Sequence, residues 1–238
     1  MKNIEAKRSL LISWGTAICL FSIFLCSSLS IMAEYPKAKQ KGMSTRLNRF
    51  KPDFQYLINV WKKDEPIDQK QLDRFIQYYS LVIKKIGPSP SVYALLGYCY
   101  YQKGDKQKSI DAYKRSASIN PHALGVFFNL GAIYYNEGNY KTAADYFAKA
   151  LVQNYQDTPK GFLKSSVYVE IIATAEMSEE QFKDNLAKNY ADAIYYLGLS
   201  FEHLGKQEIA KRIFASREKY FPQRPIPEQS TPIKLSIF

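Results

Sequence analysis

Along most of the chain, apolar residues recur at the three- and four-residue spacing of an amphipathic helix. They do so in stretches of about a dozen residues broken by glycine or proline. Asp53–Lys63 and Asp68–Ile86 form one such pair, hinged at Pro66. Gly161–Thr174 and Ser178–Lys188 form another, and Ser178-Glu179-Glu180-Gln181 has the form of a capping box. Between and after them the pattern repeats. Ser91–Asn120 laid over Gly125–Asn154, an offset of 34 residues, puts Leu96-Gly97 on Leu130-Gly131 and Tyr100-Tyr101 on Tyr134-Tyr135. Gly104-Asp105 falls on Gly138-Asn139, Tyr113 on Phe147 and Ala117 on Leu151. A third copy carries Leu197-Gly198, Phe201, Gly205-Lys206, Ala210, Phe214 and Pro222. Phe75 and Tyr79 stand 34 residues before Ser109 and Tyr113, so the upstream pair is in register through its second helix.

The glycines explain the pattern physically. Gly104, Gly138 and Gly205 sit where a first helix must end and reverse, and a left-handed cap costs glycine least. Gly97, Gly131 and Gly198 sit inside a helix, where glycine costs about 1 kcal/mol relative to alanine. A cost repeated in three copies calls for a compensating gain, and close approach of the paired helix supplies it. Pro121 and Pro222 end second helices, since proline cannot continue one.

This pattern resembles the tetratricopeptide repeat, with its bulky aromatic, Leu-Gly, Tyr, Ala, Phe and Pro over ~34 residues. Tyr93, Phe127 and Ile194 hold the place usually taken by Trp. Ser109 replaces the small Ala that Ala143 and Ala210 keep, and Tyr155 replaces the terminal Pro of the middle copy. The resemblance implies an all-α fold, a right-handed α-solenoid of helical hairpins, and the uncharged apolar run near the N-terminus places one transmembrane or signal helix before it. The chain then divides into a membrane anchor or signal peptide (1–33), a basic juxtamembrane linker (34–51) and a degenerate hairpin (52–89). Repeats at 90–123 and 124–157, a second degenerate hairpin (158–190), a third repeat (191–224) and a Pro-rich tail (225–238) complete the division. With Pro225, Pro227 and Pro232 and no period, that tail is expected to be extended or mobile; its apolar end, Ile233–Phe238, could dock, but disorder is the expected state.

The uncharged run Ser9–Ala33 follows a basic start and is long enough at ~1.5 Å per residue to cross a hydrocarbon core of ~30 Å. Two readings stay open: an uncleaved anchor, making the chain single-pass, or a secretory signal cleaved near Ala33. Bulky Leu25 before Cys26 speaks against a lipoprotein. Lys37, Lys39, Lys41, Arg46, Arg49 and Lys51 behind the run outnumber Lys2, Lys7 and Arg8 in front, which argues for a cytoplasmic rear flank. A short basic leader argues for export, and both readings of the run as a Sec signal agree on it, so the repeats are expected outside the cytoplasm.

Composition changes little. Apolar residues at 46 % and charged ones at 23 % are those of a folded domain. A net charge of +11 invites a nucleic-acid reading. In the repeats, however, Lys alternates with Asp and Glu, and the sites where a helical repeat would read bases hold Tyr, Ala and Leu. No nucleic acid is expected, an RNA-binding repeat being the minor alternative. Cys99 stands alone in the folded part, and His122 and His203 are read as ordinary surface or capping residues. No metal site, cofactor, small-molecule substrate or catalytic group is expected.

What the resemblance does imply is a groove lined by the first helix of each hairpin and occupied by a peptide or partner helix. Carried over, it would present Ala94, Leu95, Tyr98, Tyr101 and Gln102, then Phe128, Asn129, Ala132, Tyr135 and Asn136, then Asp192, Tyr195, Tyr196, Leu199 and Glu202. Of these, Tyr98, Tyr101, Gln102, Phe128, Asn129, Tyr135, Asn136, Tyr195 and Tyr196 are the expected contacts, since tyrosines give stiff area and amides can bond a peptide backbone. Leu96, Gly97, Tyr100, Gly104, Leu130, Gly131, Tyr134, Gly138, Leu197, Gly198, Phe201 and Gly205 are structural. The carboxylate clamp of some family members needs a Lys and an Asn where Ala94 and Tyr98 stand. With Asn129 alone in place, a clamp is not expected. The function implied is a membrane-associated scaffold or adaptor for an unidentified protein or peptide. The alternative is a permanent subunit of a membrane-linked assembly.

Overall fold

Where side-chain oxygens precede an amphipathic stretch, helices begin. Asp68 accepts from the Gln71 amide at 3.0 Å, Asp105 from Lys108 at 3.2 Å and Asn139 from Thr142 at 3.2 Å. Ser178 and Gln181 close the reciprocal capping box at 3.1 and 2.9 Å. The computed structural model describes residues 52–63, 65–121, 123–152, 178–227 and 232–236. Among these there are eight helices and no strand: α1 (Phe54–Lys63), α2 (Gln69–Ile86), α3 (Pro90–Gln102), α4 (Lys106–Ile119), α5 (Leu124–Asn136), α6 (Tyr140–Val152), α7 (Glu179–His203) and α8 (Gln207–Tyr220). The apolar run 9–33, the basic linker and the Gly161–Thr174 stretch lie outside the described residues.

From α2 onwards each helix packs on the next, and α7 also reaches α5. One apolar core therefore threads the stack, with Phe75, Tyr79, Leu96, Tyr113, Leu130, Ile133, Phe147 and Leu186 among its members. The mid-helix glycines are contact points. A methyl added at Gly131 would stand 2.7 Å from the Phe147 ring, and one at Gly97 2.9 Å from the Tyr113 ring. Gly198 is pressed by Phe214 in the same way. At Gly138 the first helix reverses at φ 74°, a conformation that strains a residue bearing Cβ. Ser109, the departure from alanine, is accommodated because its buried hydroxyl donates to the Gly97 carbonyl at 2.7 Å.

One element differs from expectation. The stretch Ser178–Lys188 and the first helix of the third repeat are a single helix of 25 residues, α7. No glycine or proline interrupts Lys188–Asp192, and the pair bridges the expected break at 2.8 Å, one turn apart. Leu186, Asn189 and Ala193, at i, i+3 and i+7, keep one buried face continuous through it.

Two consequences can be measured. Gly131→Ala, which would stabilise an ordinary helix, should here destabilise by about 1–3 kcal/mol through overpacking. Urea unfolding should show part of that loss recovered in Gly131→Ala/Phe147→Leu. Lys206 holds the N-cap of α8 without a side-chain bond, at backbone angles near those of Asp105. Lys206→Asp should therefore raise the stability of the third repeat by about 0.5–1 kcal/mol; an unchanged or lowered urea midpoint contradicts it.

Candidate functional site: a backbone-reading face on α5

Asn129 and Asn136 are seven residues apart on α5, two turns along one face, or ~10.5 Å at 1.5 Å per residue. Against that face lies the chain's own segment Pro232–Ser236. Asn136 Nδ2 donates to the Ile233 carbonyl at 3.0 Å while its Oδ1 accepts from the Ile233 amide at 2.7 Å. Asn129 repeats the arrangement on Ser236, with Nδ2 to the carbonyl at 2.7 Å and Oδ1 from the amide at 2.8 Å. The segment thus runs antiparallel to α5. Its bonded residues are three apart, the period of a polyproline II chain, which advances ~9.3 Å over three residues. The pitch of the helix and the period of the segment match to about 1 Å.

A tyrosine supports each amide. The second Nδ2 hydrogen of Asn129 reaches the Tyr113 hydroxyl at 3.0 Å, and that of Asn136 reaches the Tyr101 hydroxyl at 3.2 Å. Both amides thereby use both donors and fix their orientation, as buried polar groups must; Asn129 is 3 % exposed. Asn189 of α7 adds a bond to the Ser236 hydroxyl at 3.1 Å. Ile233 and Leu235, 3 % and 2 % exposed, join the apolar core, while Lys234 between them is exposed. The apolar end of the tail, expected to be disordered, is docked through residue 236. Alternate aliphatic side chains find burial, and the backbone polar groups find partners, so neither opposes ordering.

The tail is also held where it leaves α8. Arg217, 4 % exposed, donates to the Ala191 carbonyl at 3.3 Å and to the Arg224 and Pro225 carbonyls at 3.3 and 2.7 Å. Arg224 pairs with Asp184 of α7.

The other expected contact residues are distributed differently. Phe128 and Tyr196 are buried against Phe147 between α5, α6 and α7, with ring centroids 5.8 and 5.9 Å from it. Tyr195 packs on Phe214 of α8 at 5.7 Å and beneath Arg217, inside its own hairpin. Tyr98 is buried in α3, and Gln102 is half-buried at its end. Tyr135 meets Tyr140 and His203, whose ring stacks on Tyr140 at 4.0 Å and whose Nε2 lies 3.2 Å from the Tyr135 hydroxyl. Burial pushes the Tyr135 phenol up to about 12 and raises that of Tyr196, so both stay neutral hydroxyls. Burial likewise pushes the Cys99 thiol up to about 12, which makes it an inert core residue. His122 lies outside the described residues. Asn189, Arg217, Arg224 and Asp184 are not singled out by sequence; the i, i+7 asparagine pair and the Ile-x-Leu alternation are the available signals.

Stacked helical hairpins, one of whose first helices holds an extended segment of the chain's own tail, define a helical-repeat protein. Family models of the tetratricopeptide repeat match residues 90–123, 125–157 and 192–223, so the chain carries three such repeats. It is 24 % identical over 105 residues to a tetratricopeptide repeat-containing protein of Methanocaldococcus jannaschii, a match over 44 % of this chain and 18 % of that relative. The matched region thus spans less than a fifth of the relative's length. Two crystal structures of MamA are similar at 17 % identity: one with a TM-score of 0.44 over 84 % of this chain and 98 % of the other, the second with 0.34 over 65 % and 93 %.

The four amide bonds make a kinetic prediction. Trypsin should cut slowly after Lys234 in the folded chain. In Asn129→Ala/Asn136→Ala the cut, followed by mass spectrometry, should be at least about tenfold faster, four bonds being worth roughly 2–4 kcal/mol. An unchanged rate means that the amides do not hold the segment.

Proposed function

We propose that this chain is an interaction scaffold or adaptor, gripping a protein partner through the α5 face that Asn129 and Asn136 define. The observation that supports the reading is the way each amide satisfies both backbone groups of one residue in an extended segment. The amide bonds themselves read only backbone, the part of extended-segment binding that main-chain hydrogen bonds supply while side-chain pockets add specificity. The aromatic positions Tyr101 and Tyr113 serve it indirectly, by orienting the amides.

We further place the scaffold at a membrane, tethered or delivered by Ser9–Ala33, with the repeats on the extracytoplasmic side. The support is the length of that uncharged run and its basic leader. No helix among the described residues is long and apolar enough to cross a membrane, so the tether would be that run.

The test is affinity capture by the full-length chain from detergent-solubilised membranes of its source, beside the Asn129→Ala/Asn136→Ala form. A partner captured by the native chain and lost from the variant supports the scaffold. Stoichiometric recovery would make it a permanent subunit; exchangeable recovery makes it an adaptor. Equal capture by both forms, or none by either, removes the α5 face from the function.

A further inference from the structure

The tail's manner of docking says what else the face can hold. Three features of Ile233–Ser236 are used: paired backbone groups at positions three residues apart, aliphatic side chains at the first and third positions, and a small hydroxyl at the fourth. Lys234, between the two aliphatic positions, faces solvent. We propose that the α5 face is a site for extended segments of the pattern aliphatic-x-aliphatic-small polar, and that Ile233–Ser236 is its resident cis ligand, which an incoming segment must displace. The proposal deepens the scaffold reading and rests on it.

The strapping of the tail supports the cis assignment. Arg217 and the Arg224–Asp184 pair fix its first leg beside α7, with seven residues between Pro225 and Ile233, where the tail meets Asn136. The docking segment is therefore kept close to the face at an effective concentration of roughly millimolar order. A competitor sees only the fraction of molecules whose face is open, so its apparent affinity falls by that fraction. The resident segment thus acts both as a plug for the apolar positions and as a threshold that weak segments fail to cross. Tyr101 and Tyr113 stay bonded to the two amides in the docked state. Because these partners belong to the repeats and not to the tail, they are positioned to hold the amides ready when the segment leaves.

The probe is a fluorescent synthetic peptide with the sequence of residues 229–238, titrated by anisotropy into full-length chains. The native chain should bind it at least about tenfold more weakly than Ile233→Asp/Leu235→Asp, whose own segment is expelled. Adding Asn129→Ala and Asn136→Ala to that variant should abolish binding. A peptide carrying Asp at the two aliphatic positions should not bind any form. A chain ending at residue 227 serves as a second open form, and circular dichroism checks that each variant keeps its helices.

Equal affinity for native and open forms would overturn the proposal, because the tail would then not occlude the face. Absence of binding to both open forms would overturn it too. Sedimentation adds one more overturning outcome: dimers that grow with concentration and vanish in Ile233→Asp/Leu235→Asp would mean that the tail docks on a second copy. Failure of the peptide alongside variant-sensitive capture from membranes would sink this inference and leave the scaffold standing. Failure of both would remove the scaffold as well.

Discussion

An aromatic ring laid against a glycine in the partner helix sets the spacing of the three repeat hairpins. Phe147 on Gly131 is one instance, and Tyr113 on Gly97 and Phe214 on Gly198 are the others. The contact brings the second helix close enough for its ring to replace the missing side chain of the first. The link between neighbouring repeats depends on that distance. In the first copy the Tyr113 ring fills the space at Gly97 and its hydroxyl extends beyond the hairpin to Asn129 on the next. The packing residue of one repeat thus orients the binding residue of its neighbour. In the second copy the equivalent residue, Phe147, has no hydroxyl and instead packs on Phe128 and Tyr196. A single ring position therefore serves a polar relay in one repeat and an apolar joint in the next.

The same constraint explains why several residues expected at the surface of the groove are interior. Where α7 crosses both α6 and α5, the first-helix face of the second repeat is covered. Phe128 and Tyr196 meet across that junction, and their burial is structural. The face left for recognition is a narrow line on α5 through Asn129 and Asn136, edged by Asn189. Desolvation in this region favours neutral groups, and the groups that meet the tail there are amides and hydroxyls.

Much of this is legible in the sequence, for identifiable reasons. The Leu-Gly pairs, the turn glycines and the capping box at Ser178 are local signals, each with one physical cause, and each is found where its cause places it. The continuity of α7 escapes a reading that sets repeat boundaries by counting 34 residues. Nothing in Lys188-Asn189-Tyr190-Ala191-Asp192 breaks a helix, and the i, i+4 pair across it favours one. The docking of the tail escapes for a different reason. Proline-rich, aperiodic sequence cannot order on its own contacts, and its partners, Asn129 and Asn136, lie about a hundred residues away. Long-range complementarity leaves no local periodicity. What it leaves is a spacing, seven on a helix against three on an extended chain, and this becomes visible only when both elements are in view.

That spacing also fixes how firmly the segment is held. Burying two aliphatic side chains contributes about 3–6 kcal/mol, and four amide hydrogen bonds add about 4 kcal/mol. Ordering five residues opposes them by about 5–10 kcal/mol. The two sides come within a few kcal/mol of each other, so docking is favourable without being irreversible. A segment bound much more tightly would seal the face, and one bound much more weakly would leave an apolar strip exposed beside α7. Asparagine suits this balance better than a charged residue at the same positions. A buried Lys or Asp would cost several kcal/mol whenever its partner left, whereas each amide retains one tyrosine hydroxyl partner after the segment departs. The open face is thereby kept within reach of the closed one.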